Sequence, residues 1–353
     1  MRTTWLVGSI ILICFMTTSA LAVKMGSLYK GTVPVTTQAT EERNQAIQQA
    51  LEQVMIKVSG TDQILNNPKF KSILSSASTL MQQFSYTTPT PGKNSAPYLL
   101  EIQFDPTGVN QWLRDAGATT WGQNRPLVLA WIAYEAPGHP AEMISSDSLN
   151  DVPALLKQNA EKRGLPFILP VMDMTDLTQA SVKDVTDIAI PKLLDAAKRY
   201  ASDAILIGHI TQDSNQLVSQ WKLLLGNDQW NWNLSGKSMN EIAPALIADI
   251  TNTLAARFAV VTTNTVQKDM PMKVTGITHY RDCAQLTRYL SHLPPVANVE
   301  ITKILADNDV VLKISLRSTQ ESFIQALSLG KKLTPMDPAS NPIDTMVVYK
   351  WNP

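Results

Sequence analysis

Two spacings of apolar residues alternate along the chain, and each alternation marks an element. Ile47, Ala50, Leu51, Val54, Met55 and Val58 recur at three-and-four spacing, with Glu41 and Glu42 before them and Gly60 after. That pattern predicts a helix over 40–59. Ahead of it, Tyr29-Lys30-Gly31-Thr32-Val33-Pro34-Val35 reads as a strand whose proline suits a sheet edge. A second helix is predicted from an Asn67 cap and Pro68, with Phe70, Ile73, Leu74, Ala77, Met81 and Phe84 inward. Residues 88–97 carry three prolines and a glycine and read as a loop. Residues 98–104 read as a strand, and Asp105-Pro106 opens a short helix. This makes a small α+β unit over 24–122, closed against the next unit by Trp112 and Trp121.

Over 125–260 the strands become wholly apolar. Residues 127–133, 167–170 and 203–208 read as strands buried on both faces. Between them lie helical patterns with Leu155, Leu156 and Ala160, and with Ile190, Leu193, Leu194, Ala197 and Ala201. Asp213-Ser214-Asn215 has turn chemistry, and 216–225 and 229–235 return as hairpin strands before a helix that ends at Phe258. The expectation is a mixed sheet, parallel near Leu127, Phe167 and Ala204 and antiparallel beyond, with helices on both faces.

A polar linker over 262–270 leads to a third pattern, β-α-β-β-α over 271–335 with 331–335 as a last strand, which is the ferredoxin-like order. Val310, Leu312, Ile314 and Leu316 alternate, Ala306-Asp307-Asn308-Asp309 gives the hairpin turn, and Ser318 with Glu321 suggests a capping box. The tail, 336–353, is broken by Pro338, Pro342 and Pro353. Its strand-like 346–349 needs a sheet edge, either of the last unit or of a partner, and the partner edge is preferred because the last unit is already capped.

The first 22 residues read as an export signal. Arg2 is followed by an apolar run over 5–15, and Ala20-Leu21-Ala22 forms an A-x-A cleavage site. Ile13 before Cys14 is not the small residue that lipid attachment needs, and no later segment is apolar for long enough to span a bilayer. After cleavage Cys283 is the only cysteine. It falls in a stripe with Leu286, Leu290 and Leu293, and reads as a core residue. Thirty basic and thirty acidic residues balance, so no strong field favours nucleic acid, anionic lipid or an acidic substrate.

Candidate chemistry is sparse. His139, His209, His279 and His292 each lack a second ligand at metal-binding spacing. His209 stands just past a buried strand, where α/β sheets bind ligands, and with Asp173 defines the one place for a hydrolase or ligand site; the plainer reading is a polar strand end. Asp173 and Asp176 could hold a cation, but turn residues and a helix cap explain them better. Trp221, Trp230 and Trp232 could stack on a glycan, although alternation on adjacent strands favours core packing. No catalytic set, cofactor or metal site is expected.

Several segments together carry a resemblance: Tyr29-x-Gly-x-Val-Pro-Val, Val58-Ser-Gly60, Phe104-Asp-Pro106, Trp121-Gly-Gln-Asn-Arg-Pro126, Arg163-Gly-Leu-Pro166, Leu169-Pro-Val-Met-Asp173 and Arg199-Tyr-Ala-Ser-Asp-Ala-Ile-Leu-Ile-Gly208. In this order, over about 29–333, they resemble a family of exported proteobacterial envelope proteins that is a domain of unknown function. The resemblance implies a Gram-negative envelope protein and transfers no catalytic residue. The 200–208 segment is also similar to the core strand of small α/β domains in envelope assembly proteins, such as the curli secretion channel and the TolB amino-terminal domain. In length, export and domain type the chain is similar to an accessory subunit in the outer-membrane core of the Dot/Icm type IVB secretion system. The resulting expectation is a non-enzymatic periplasmic protein, without a membrane span of its own, that docks with other envelope proteins at the outer membrane.

Overall fold

The computed structural model describes residues 28–88, 96–213, 215–305, 309–336 and 346–352. The expected export signal over 1–22, Cys14 and most of the 306–309 turn lie outside the described residues. No helix among the described residues is long and apolar enough to cross a membrane. The fold is mixed α/β and α+β, with three main sheets that each cover a core of their own.

The first sheet has the order β1-β3-β2, from β1 (Lys30–Val35), β2 (Met81–Thr87) and β3 (Tyr98–Phe104). Helices α1 (Thr40–Ser59), α2 (Phe70–Ser75) and α3 (Pro106–Asp115) complete its core, and Asp105 caps α3 by accepting from Thr107 and Gly108. Pro34 sits on an edge strand as expected. Residues 81–84 do not continue a helix. Met81–Thr87 pairs antiparallel with β3, and Phe84 is half exposed with Arg43 above its ring. Met81 and Phe84 fit helical spacing, but the ladder with β3 satisfies the backbone and prevails.

After β4 (Thr119–Thr120) comes the largest sheet, ordered β10-β9-β8-β5-β6 with β7 beside β5. Its strands are β5 (Val128–Glu135), β6 (Glu142–Ile144), β7 (Phe167–Ile168), β8 (Ala204–Asp213), β9 (Gln216–Leu225) and β10 (Asp228–Gly236). β5 runs parallel to β7 and β8, and β9 and β10 are antiparallel, as the pattern predicts. Helices α4 (Val152–Arg163) and α8 (Met239–Phe258) cover one face. The other face is covered by α5 (Met174–Gln179), α6 (Val182–Thr186) and α7 (Ile190–Ala197). Gly208 leaves room for Trp221, because a Cβ there would stand 2.2 Å from the indole.

β11 (Val260–Val261) pairs with β4, and the last sheet then has the order β13-β14-β12-β16-β15. It comprises β12 (Lys268–Thr275), β13 (Val296–Ile304), β14 (Val310–Leu316), β15 (Leu333–Met336) and β16 (Val347–Trp351), with α9 (Tyr280–Ser291) and α10 (Gln320–Ser328). The β-α-β-β-α order is present. The tail strand is neither at an edge nor held for a partner: β16 lies between β12, to which it is parallel, and β15, with Tyr349 and Trp351 buried. The free edge of β12 gives it a ladder on each side, which an outer position could not. Thr319, not Ser318, caps α10.

The first two sheets are joined by a knot around Arg125. Its guanidinium donates to the carbonyls of Lys57 (2.5 Å), Trp121 (2.8 Å), Gly122 (3.0 Å), Arg163 (3.1 Å) and Gly164 (3.1 Å), and lies 4.2 Å over the Trp121 ring. Burial without a carboxylate pushes Arg125 down to about 9, and burial followed by repulsion from Arg125 pushes Lys57 down to about 8. Gly60, at φ 81, ends α1 where a Cβ would meet Ala255 at 2.5 Å and Trp121 at 2.9 Å.

Candidate functional site

His209 is placed by register. Ala133 of β5 and Gln220 of β9 stand opposite it, and Asn233 of β10 stands opposite Gln220. A second row runs Ile207, Lys222, Asn231. Directly opposed residues share a face, so His209, Gln220, Lys222, Asn231 and Asn233 form a polar floor beside the end of α6. Val185, Thr186 and Ile188 wall it on one side, leaving a notch of about 110 Å3. The His209 Nε2 lies 3.5 Å from Glu135 Oε2, too long for a hydrogen bond, and has no other polar partner among the described residues. The notch can hold a small polar group but is below the usual size of a ligand pocket.

Asp173 is not part of that notch. It caps α5 by accepting from Thr175 and Asp176, both at 3.0 Å, and takes two hydrogen bonds from Arg199 at 2.7 and 2.8 Å. Those contacts, Arg199 first, hold its carboxyl well below the usual range. Asp176 is buried and accepts from Arg199 (2.9 Å), the Tyr200 hydroxyl and the Met172 N–H. Burial, then the bond to Asp176, pushes Tyr200 up to about 12. The cation reading of the two acids thus gives way to a cap and an arginine clamp.

The clamp has an unexpected outer side. It holds a stretch whose apolar side chains face solvent: Val171 is 55 % exposed, Met174 76 % and Leu177 56 %. Met174 and Leu177 are one turn apart on α5, which packs on α7, where Leu194 is exposed as well. The three non-glycine residues with positive φ among those described are Met172, Ile188 and Ala201, all in this segment. Ile188, β-branched at φ 52, is a strained position, and such strain persists where surrounding structure imposes it. Sequence reading missed this surface. The short runs over 174–186 leave too little length for periodicity, although Val171, Met174 and Leu177 beside two acids were visible.

The remaining candidates are dispersed. His139 is exposed in a turn, His279 begins α9 beside Thr278, and His292 ends it. No cluster of three or more metal-ligating residues occurs among those described. Trp221 is buried, with its N–H on Ser219 at 2.9 Å, and Trp230 and Trp232 pack against the same core, in keeping with core packing rather than a stacking platform. Cys283 is a buried free thiol.

A sequence model of a family described as a domain of unknown function (DUF8605) matches residues 22–122, which is less than a third of the chain. No curated protein matches it. Among solved structures, the LpoB C-terminal domain from Salmonella enterica is similar at 14% identity, over 32% of this chain and 83% of that one, with a TM-score of 0.21. Lipoprotein GNA1162 from Neisseria meningitidis is similar at 12% identity, over 37% and 96%, with a TM-score of 0.23.

Proposed function

We propose that this chain is a non-enzymatic accessory protein of the cell envelope that docks into a larger assembly through the outer side of α5 and α7. The outer-membrane core of a Dot/Icm type IVB secretion system is the assembly that its resemblance suggests. The exposed, clamped apolar residues Val171, Met174, Leu177 and Leu194 carry the reading. Exposed apolar surface held in fixed geometry is a mark of a protein interface. The nearby cations Lys192, Lys198 and Arg199 are each paired with an aspartate, so the surface offers little free positive charge to anionic lipid and suits the apolar face of a protein. The export signal expected over 1–22 supports an envelope setting.

Gentle extraction of the native envelope followed by size separation tests this. The protein is expected in a large complex, and a Met174→Glu/Leu177→Glu variant is expected to run free with unchanged melting. Migration of the native protein as a free monomer overturns the reading. Binding to vesicles that the double variant abolishes would assign the surface to lipid instead.

A further inference from the structure

A cleft of about 500 Å3 opens where the 121–126 segment meets the last sheet. Asn124 lines it from that segment, Arg288, Tyr289 and His292 from one face of α9, and Lys332 and Trp351 from the β15–β16 side. The walls are tied together. Asn124 Nδ2 donates to the Tyr289 hydroxyl at 3.0 Å and to the Ala326 carbonyl at 3.1 Å. The Tyr289 and Trp351 rings stand 6.2 Å apart, and Lys332 Nζ is 5.7 Å over the Trp351 ring. His292 Nδ1 lies 2.6 Å from the Arg288 carbonyl, which leaves Nε2 for another partner.

Two features of this cleft lack their complements. Its lining includes Arg288, Lys332 and His292 but no carboxylate among the described residues. Among the described residues neither Arg288 nor Lys332 is in an ion pair, whereas Lys192, Lys198 and Arg199 each are. Trp351 is 3% exposed, yet its indole N–H has no acceptor among the described residues. A buried donor without a partner is unfavourable unless something supplies the acceptor.

We propose that this cleft binds a small organic anion, a carboxylate or phosphate carried on a flat body. Its oxygens meet Arg288 and Lys332, where the guanidinium fork matches a planar or tetrahedral oxyanion. Its flat body lies along Tyr289 and Trp351, and one acceptor takes the indole N–H. The volume is within the range of small-molecule sites. The site is separate from the α5–α7 surface, so it stands or falls independently of the docking reading.

The test is a titration of the full chain with benzoate, phenyl phosphate and neutral benzamide, followed by tryptophan fluorescence and calorimetry. Benzoate or phenyl phosphate is expected to saturate the protein, benzamide is not, and added salt is expected to weaken the anion. Arg288→Gln/Lys332→Gln, both at exposed positions, is expected to weaken binding about tenfold or more with unchanged melting, the size expected for loss of charge-assisted hydrogen bonds. Trp351→Phe keeps an aromatic ring, though a smaller one, loses the donor and is expected to weaken binding by a smaller factor. Preference for benzoate assigns a carboxylate source, and preference for phenyl phosphate a phosphate source. Equal binding of benzamide, undiminished binding by the double variant, or no saturation by either anion overturns the proposal.

Discussion

Two arginines organise this molecule by opposite means. Arg125 is buried and, among the described residues, donates to backbone carbonyls, five of them, from the end of α1, the 121–122 segment and the end of α4. Arg199 is partly exposed and clamps two carboxylates a short way along the chain. Carbonyl dipoles offset desolvation only in part, so the proton on Arg125 is held less tightly than usual. Carboxylates do more than offset it, so Arg199 is raised. The first arrangement joins sheets that meet far apart in sequence. The second fixes a local surface while leaving its apolar side chains in solvent. Full satisfaction of buried polar groups thus marks architecture, and exposed apolar groups over a satisfied network mark a surface kept for something else.

Breaking the first arrangement should have the larger effect. Arg125→Met leaves five carbonyls without a donor and should lower unfolding free energy by about 3–5 kcal/mol in denaturant titration. Arg125→Lys should recover little, since an ammonium cannot span the same carbonyls. A variant that melts like the wild type would mean that the knot does not hold the sheets together. Asp176→Ala should cost about 2–3 kcal/mol, because Arg199, Tyr200 and the Met172 N–H all lose an acceptor, and proteolysis should then begin within 171–179.

The two arrangements should also separate by pH. Lys57 and Arg125 have folded values below their unfolded ones, so the unfolded chain binds more protons above about pH 8 and stability should rise from pH 8 to 10. A single group contributes at most about 1.4 kcal/mol per pH unit. Lys57→Met should flatten that rise in a melting series, and a flat wild-type profile would contradict the burial account. Asp173 has the opposite history. Its folded value is depressed, so its contribution is present above the ordinary aspartate range and is lost as pH falls below about 4. The smallest effect concerns strain at φ 52: Ile188→Gly should raise the melting midpoint slightly, by about 0.5–1 kcal/mol in stability, and a loss would show that the Ile188 side chain outweighs its backbone cost.

What was legible in the sequence follows from range. The helix over 40–59 announces itself because twenty residues give its period time to repeat and Gly60 closes it. Buried strands such as Val128–Glu135 show as apolar runs because both faces are covered. The Met81–Thr87 strand did not show, since Met81 and Phe84 stand three apart, which fits helical spacing, and only the ladder with β3 overrides it. Helices α5 to α7 are too short for a period. For His209 the end of the apolar run at Gly208 was visible, but β8 continues to Asp213, so His209 lies within the strand and not past its end. Glu135 as its neighbour depends on the pairing of β5 with β8, which no local pattern encodes. Arg125 stood in plain view within Trp121-Gly-Gln-Asn-Arg-Pro126, and its five acceptors come from backbone, which carries no sequence signature.

The position of β16 sets an order of events during synthesis. In the last sheet, Met272 of β12 pairs with Val347, so a strand made early waits for one made much later. Until then β12 and β15 each present an unmatched ladder, and β15 has nothing between it and the rest of the sheet. Pairing between such distant segments is slow, because the loop must close before its contacts reward it. The last sheet is therefore the part that remains longest in a threadable state. A chaperone that keeps 268–336 open would need to release it only once 347–351 has emerged.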